Sequence, residues 1–125
     1  MDIAVKNLRT HEELIAAKEY GRISKTGALA FKARVALFEG TRAKFHKYGD
    51  AKKYLTMARD AAKEVMDSKQ HALFSQSKIE SNGQRTDNAY YNLFQQAGEG
   101  STNKENIIVR QYGVNRENSV SSTAV

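Results

Sequence analysis

The feature that most constrains the fold of this sequence is an alanine-rich segment over residues 21–40. Ser24 is placed to cap a helix by accepting a hydrogen bond from a free backbone N–H of the first turn. Gly40 follows the last apolar residues, where a left-handed C-cap costs least. The segment therefore predicts a helix that ends at Gly40 and is buried on more than one side. The stripe predicted to contact a neighbouring helix consists of Ala30, Ala33 and Leu37, and Leu29, Ala36 and Phe38 widen it.

The next segment of the chain predicts a second, one-sided helix. Its apolar residues recur at the i, i+3, i+4, i+7 spacing over roughly four turns, and lysine, arginine and acidic residues occupy the other face. Asp50 is the predicted N-cap. The predicted buried residues of this helix are Ala51, Tyr54, Leu55, Ala58, Ala62, Val65 and Met66.

Neither apolar stripe can be buried alone, so the two helices predict an antiparallel hairpin that resembles a tetratricopeptide unit, with an elongated turn over residues 41–50. Before it, Thr10 and Glu13 form a capping-box pattern for a short helix. The expected fold class is mainly α, and residues 1–74 form the helical region of a single partial domain.

Residues 75–125 are expected to form a loop-rich part that docks on the helices. Residues 75–88 are polar and contain the turn dipeptide Asn82-Gly83, which predicts a loop. A short aromatic helix follows, with Tyr91 and Phe94 predicted to pack on the hairpin. Residues 107–112 favour a strand, and the polar tail from Asn115 predicts disorder.

Composition limits the functional classes. The sequence has no cysteine, which excludes disulfides, thiolate chemistry and a lipid-attachment cysteine within these residues. No stretch approaches the roughly 20 apolar residues of a membrane helix, and Met1 is followed by Asp2 instead of a leader segment, so the sequence predicts a soluble chain.

The net charge of +6 leaves a second interpretation open, because a basic chain can bind nucleic acid or an anionic surface. Phe45 and Tyr48 lie among the basic residues, so the segment 41–53 could form a phosphate or single-strand site with stacking rings. Alternatively, the two rings close the open end of the hairpin and the bases stay solvated. The basic residues of this segment are Arg42, Lys44, Lys47, Lys52 and Lys53.

Few side chains in this sequence are suited to catalysis or metal binding. His11, His46 and His71 lie far apart in the sequence and lack metal-ligand spacing. No histidine or aspartate is placed in the sequence to activate the hydroxyl of Ser24 or Thr26. We therefore expect neither an enzyme nor a bound cofactor or metal. Tyr90, Tyr91 and Tyr112 are the candidate sugar-stacking rings outside the main helices, with packing in the core or at its edge as the alternative.

Four segments, taken in series, resemble the SusD/RagB family of surface glycan-binding lipoproteins. The first is GRISKTGALAFKARV at residues 21–35, and the second is ARDAAKEVMDS at residues 58–68. YNLF at residues 91–94 and ENII at residues 105–108 complete the series. The likeness spans residues 2–113 and lies in the order and spacing of the whole series.

The resemblance implies a non-enzymatic protein of the outer membrane and cell surface that binds oligosaccharides or other nutrients. Such proteins are lipid-anchored and cap a TonB-dependent, SusC-like transporter. Their tetratricopeptide-like helices serve mainly as scaffold and transporter contact, and the sugar site is formed largely by other parts of a longer chain. The resemblance thus implies an internal fragment, without nucleic-acid binding, whose uncovered apolar edges favour self-association. The alternative is a stand-alone basic helical adaptor for a protein or nucleic-acid partner.

Overall fold

The structure is a computed structural model and describes residues 2–19, 21–75, 79–81, 84–86, 88–94, 103–112 and 120–124. The chain is mainly helical, as the sequence predicts. The helices are α1 (Asp2–Asn7), α2 (His11–Ala16), α3 (Lys25–His46), α4 (Ala51–Asp67) and α5 (Ala89–Leu93), and the strands are β1 (Ile79–Ser81), β2 (Gln84–Thr86), β3 (Val109–Tyr112) and β4 (Val120–Ala124).

Helix α3 begins where the sequence predicts and ends six residues later than predicted. The Ser24 hydroxyl accepts a hydrogen bond from the Gly27 N–H at 3.0 Å, which caps the first turn. The predicted end at Gly40 is wrong, because the helix continues to His46 and Lys47 provides the left-handed cap at a φ of 54°. The elongated turn predicted for residues 41–50 is therefore confined to residues 47–50.

Gly40 has a packing role in the middle of α3. A Cβ atom at this position would lie 2.9 Å from the Cγ and Cδ2 atoms of Leu55 and 3.0 Å from its backbone nitrogen. The absence of a side chain lets α3 and α4 approach closely at this point. The glycine that the sequence suggests as a helix end is thus a point of close contact between two helices.

Helix α4 packs along α3 in the antiparallel direction, because only residues 47–50 connect them. The Asp50 carboxylate accepts a hydrogen bond from the Lys53 N–H at 2.9 Å, so the predicted N-cap is present. Ala58, Ala61 and Val65 are buried. The predicted residues Ala51, Tyr54, Leu55 and Ala62 are half-buried. Met66 is 69% exposed, so its predicted burial is wrong.

The buried side of α3 agrees with the prediction in part. Leu29 and Ala36 are buried as predicted, but the predicted burial of Phe38 is wrong, since its side chain is 68% exposed. The core residues that α3 contributes are Leu29, Ala36 and Ala43. Ala30 and Ala33 are half-buried at the border of this side. The predicted burial of Leu37 is wrong, since its side chain is 54% exposed. In an α-helix Leu37 lies about 80° around the axis from Leu29, which carries it off the side that faces α4.

The centre of the hydrophobic core joins three helices that lie far apart in the sequence. Val5 of α1, Leu29 of α3 and Val65 of α4 are each less than 10% exposed and form one cluster. The half-buried residues packed against it are Ala28, Ala30 and Ile107. Ile107 belongs to the segment before β3, so the C-terminal part of the chain also covers this core.

Helix α2 is held at its start by the predicted capping box. The Thr10 hydroxyl accepts a hydrogen bond from the Glu13 N–H at 3.2 Å. The Glu13 carboxylate accepts one from the Thr10 N–H at 2.7 Å. Leu14 is the buried residue of this short helix.

The C-terminal part contains two pairs of short antiparallel strands. Strands β1 and β2 pair with Glu80 opposite Arg85, where the sequence predicts a loop. The predicted turn Asn82-Gly83 lies outside the described residues. Strand β3 starts at Val109, two residues later than predicted, and pairs with β4, where the sequence predicts a disordered tail.

Candidate functional site

The short helix α5 presents three aromatic rings to solvent. Tyr90 is 73% exposed, Tyr91 49% and Phe94 68%. The rings of Tyr90 and Phe94 meet edge to face, with centroids 5.2 Å apart and an interplanar angle of 74°. We call Tyr90, Tyr91 and Phe94 the aromatic face.

Helix α5 is capped by one asparagine and buries another. The Asn88 side-chain oxygen accepts hydrogen bonds from the N–H groups of Tyr90 at 3.0 Å and Tyr91 at 3.3 Å. Asn92 is 2% exposed and is the buried residue of the helix. Since Asn92 occupies the inward side, Phe94 cannot also point inward, and its predicted docking on the hairpin is wrong.

The aromatic face combines flat apolar surface with hydroxyl groups that can donate and accept hydrogen bonds. This is the chemistry that the apolar face and the hydroxyl rim of a sugar ring require. Packing of Tyr90 and Tyr91 in the core does not agree with their exposure, and packing at the edge of the core is the remaining alternative. The third candidate, Tyr112, has its backbone in β3 opposite Val120, and its side chain lies outside the described residues.

A shallow depression of about 440 Å³ lies between the end of α3 and the first half of α4, among basic side chains. Its lining residues are Lys44, Ala51, Lys52, Leu55, Thr56 and Arg59. The predicted closure of this end by Phe45 is wrong, because Phe45 is 75% exposed. The Tyr48 hydroxyl instead donates a hydrogen bond to Glu39 at 2.9 Å, and the Arg42 guanidinium lies 5.6 Å from the centre of the Tyr48 ring.

A second polar cluster, which the sequence analysis missed, joins the start of α3 to the C-terminal segment. His71 Nδ1 lies 3.1 Å from the Lys104 carbonyl oxygen, which can only accept, so Nδ1 carries the proton and donates. In the neutral ring Nε2 then accepts from the Thr26 hydroxyl at 2.8 Å. Thr26 in turn accepts from the Ser24 hydroxyl at 3.1 Å. The neutral form of His71 therefore sets which group donates and which accepts in each of these hydrogen bonds.

His11 lies beside His71, with ring centroids 4.8 Å apart. Around them, the backbone N–H of His11 donates to the Gln70 side chain at 3.0 Å, and the Phe74 N–H donates to Glu105 at 2.8 Å. We call His11, His71, Thr26 and the Lys104 carbonyl the histidine junction. It connects α2, the start of α3, the segment after α4 and the segment before β3.

Both histidines of the junction favour the neutral form. Burial lowers the pKa of His71, although the hydrogen bond to the Lys104 carbonyl opposes this. Burial, followed by repulsion from His71, lowers the pKa of His11, and Glu12 opposes the shift. Protonation of His71 at Nε2 would also require the Thr26 hydroxyl to turn, accept from His71 and donate to Ser24. The surroundings of His11 and His71 therefore favour the uncharged form of both rings.

We expect acidification to destabilise the fold through this junction. A histidine whose pKa is lower in the folded state binds a proton more readily when unfolded, so stability is full above the unfolded pKa of about 6.5 and falls as the pH drops below it. Thermal melts of the chain should show a lower melting temperature at pH 5.5 than at pH 7.5. His71→Gln should flatten this dependence, and His46→Gln, at the exposed end of α3, should leave it intact. An unchanged slope in His71→Gln would contradict the assignment.

The junction does not complete a metal site in the described part of the chain, where no three histidine, cysteine, aspartate or glutamate residues are placed to hold an ion. His46 lies at the end of α3, away from the junction. Nothing in the local sequence connects His11 with His71, which are 60 positions apart, so only the tertiary structure brings them together.

Among the described residues, no helix is long and apolar enough to cross a membrane. No protein-family model matches the chain, and no match was found among curated proteins or among solved structures. The likeness to the SusD/RagB family therefore rests on the four sequence segments alone.

Proposed function

We propose that this chain is a scaffold segment of a SusD-like surface glycan-binding or nutrient-binding lipoprotein, which acts with a TonB-dependent transporter in oligosaccharide uptake. In this proposal the hairpin of α3 and α4 is the tetratricopeptide-like scaffold. The parent protein is lipid-anchored at the outer membrane, and parts of it beyond these residues supply most of the ligand contacts.

The observation that carries the proposal is the aromatic face. Exposed aromatic rings lose their contact with water only when a ligand or partner covers them. Three such rings on one short helix are therefore more typical of a binding surface than of core packing. Sugars suit it, because their apolar faces stack on rings while their hydroxyls reach the two tyrosine O–H groups.

The first test is to sequence the source gene on both sides of this segment. The proposal expects an upstream signal peptide with a lipid-attachment cysteine and a neighbouring gene for a TonB-dependent transporter. A complete reading frame of 125 codons, without either feature, would overturn it.

Tyr90→Ala in the full-length parent protein should weaken oligosaccharide binding at least about fivefold, because one stacked ring contributes about 1 kcal/mol beyond its buried area. Isothermal titration calorimetry with maltoheptaose, xylohexaose and laminarihexaose measures this. Phe45→Ala is the matched control, since it removes an equally exposed ring from α3. An equal loss in both variants, or no loss in Tyr90→Ala, would exclude the aromatic face as a sugar contact.

The second candidate function is the basic adaptor, and the depression at the hairpin end favours it. Lys44 of α3 faces the same 440 Å³ space as Lys52 and Arg59 of α4. Titration with single-stranded DNA over a range of salt concentrations separates the candidates, because charge-driven binding weakens steeply with salt. No binding at low salt would remove the nucleic-acid form of this candidate.

A further inference from the structure

Helix α3 is apolar on two opposite sides, and only one of them is covered. The covered side packs on α4 and α1 through Leu29, Ala36 and Ala43. The opposite side carries an exposed row, which we call the outer stripe. Its residues and their exposed fractions are Phe31 (54%), Val35 (47%), Phe38 (68%) and Phe45 (75%).

The outer stripe has the spacing of a coiled-coil seam. Its residues follow one another at intervals of four, three and seven positions, which is the 3.5-residue repeat of a helix that packs lengthwise against another helix. In heptad terms Phe31, Phe38 and Phe45 occupy d positions and Val35 an a position. Arg42 occupies the next a position. Single exposed apolar residues are ordinary, but a row of four in this register is not.

The charges around the outer stripe are mostly positive. Helix α3 has five lysine and arginine residues and one acidic residue, Glu39. Lys32 and Arg34 flank the stripe at e and g positions, and Arg42 lies within it. Glu39 accepts a hydrogen bond from Tyr48, and Arg42 lies against the ring of the same tyrosine. A complementary helix would therefore carry acidic residues along its edges.

We propose that the outer stripe binds an amphipathic helix of another protein chain, with leucine-like residues along its seam, acidic residues along its edges and a carboxylate opposite Arg42. Phe31, Phe38 and Phe45 supply the apolar contacts, and Lys32, Arg34 and Arg42 select the charge and the register. The inference does not depend on the proposed function, since it uses α3 and leaves the aromatic face of α5 free.

A second copy of the chain fits this surface less well. In a parallel pair of α3 helices Arg42 would face the same arginine of the other copy, which repels. Each copy also offers only Glu39 against the cations of its partner. An acidic helix removes both difficulties, because it places a carboxylate opposite each cation.

The test uses two synthetic helical peptides of about three heptads, both with leucine at a and d except at one a position. One peptide has glutamate, and the other lysine, at this a position and at e and g. Fluorescence anisotropy with the purified chain measures their affinities. We expect the glutamate peptide to bind at least about tenfold more tightly than the lysine peptide at about 50 mM salt, and the difference to shrink at about 500 mM salt.

Three variants of the chain locate the binding surface. Phe38→Asp should weaken binding of the glutamate peptide at least about tenfold, because it places a charge in the seam. Arg42→Glu should reduce the preference for the glutamate peptide. Leu73→Asp is the matched control, because Leu73 is 84% exposed and lies outside the stripe. Circular dichroism melts identify any variant that loses its fold, and Val35→Asp then replaces it.

Four results would overturn the proposal. They are no binding of the glutamate peptide, equal binding of both peptides, binding that Phe38→Asp leaves unchanged, and a concentration-dependent dimer in analytical ultracentrifugation that the glutamate peptide does not dissociate. The last result would assign the outer stripe to a second copy of the chain.

Discussion

Leu29→Ala is expected to lower the free energy of unfolding by about 2–5 kcal/mol, the usual range for truncating a buried leucine. Leu29 is 4% exposed and joins Val5 of α1 to Val65 of α4 in the core cluster. Its removal leaves a cavity where three helices meet, and none of their backbones can collapse to fill it without breaking other contacts. Urea unfolding with linear extrapolation gives the free energy.

Leu37→Ala is the matched control, because it is the same substitution in the same helix. Leu37 is 54% exposed, so the loss should be below about 1 kcal/mol. The pair also decides between two rotations of α3. If Leu37→Ala cost more than Leu29→Ala, α4 would face the stripe of Ala30, Ala33 and Leu37 that the sequence predicts, and the rotation in the structure would be wrong.

Local chemistry explains why the helix starts were predictable. Ser24, Asp50 and Thr10 each accept a hydrogen bond from the backbone N–H three residues later in the sequence. An interaction between residues so close in the sequence can be predicted from the local sequence. Helix α4 was predictable for a related reason. Its apolar residues occupy one side only, so the 3.6-residue period points to a single buried side.

The buried side of α3 was not predictable in the same way. With apolar residues on both sides, its periodicity allows more than one rotation, and only the contact with α4 decides between them. The sequence predicts one wide stripe that includes Leu29 and Ala36, which are buried, together with Leu37 and Phe38, which are exposed. Gly40 was ambiguous for the same reason, because a glycine suits a helix end and a close helix contact equally well until its neighbour Leu55 is known.

The candidate site depends even more on distant parts of the chain. The histidine junction joins residues 11, 26, 71 and 104, and the pairing of β3 with β4 joins Val109 to Ala124. No local pattern marks such pairs. For α5, the sequence correctly predicts a short aromatic helix but not the direction of its rings, which depends on the burial of Asn92.

Gly40→Val should destabilise the chain by about 3 kcal/mol, the upper part of the range for overpacking a close contact. A Cβ atom would lie 2.9 Å from the Leu55 side chain and 3.0 Å from its backbone nitrogen. The side chain can turn aside, but the backbone cannot, so α3 and α4 must separate along their contact. Valine regains only a few tenths of a kcal/mol in helix propensity over glycine. Thr41→Val adds the same residue one position further along, where the surface is exposed, and should change stability by less than about 0.5 kcal/mol.

A double-mutant cycle with Leu55→Ala assigns the cost of Gly40→Val to this contact. Leu55→Ala removes the Cγ and Cδ2 atoms that the new side chain would meet and keeps the backbone nitrogen. The cost of Gly40→Val should therefore fall in the Leu55→Ala background without reaching zero, with a coupling energy within the range of about 0.5–3 kcal/mol seen for residues in contact. Strict additivity would show that residue 40 does not meet the Leu55 side chain, and the cost of Gly40→Val would then come from other contacts of α3.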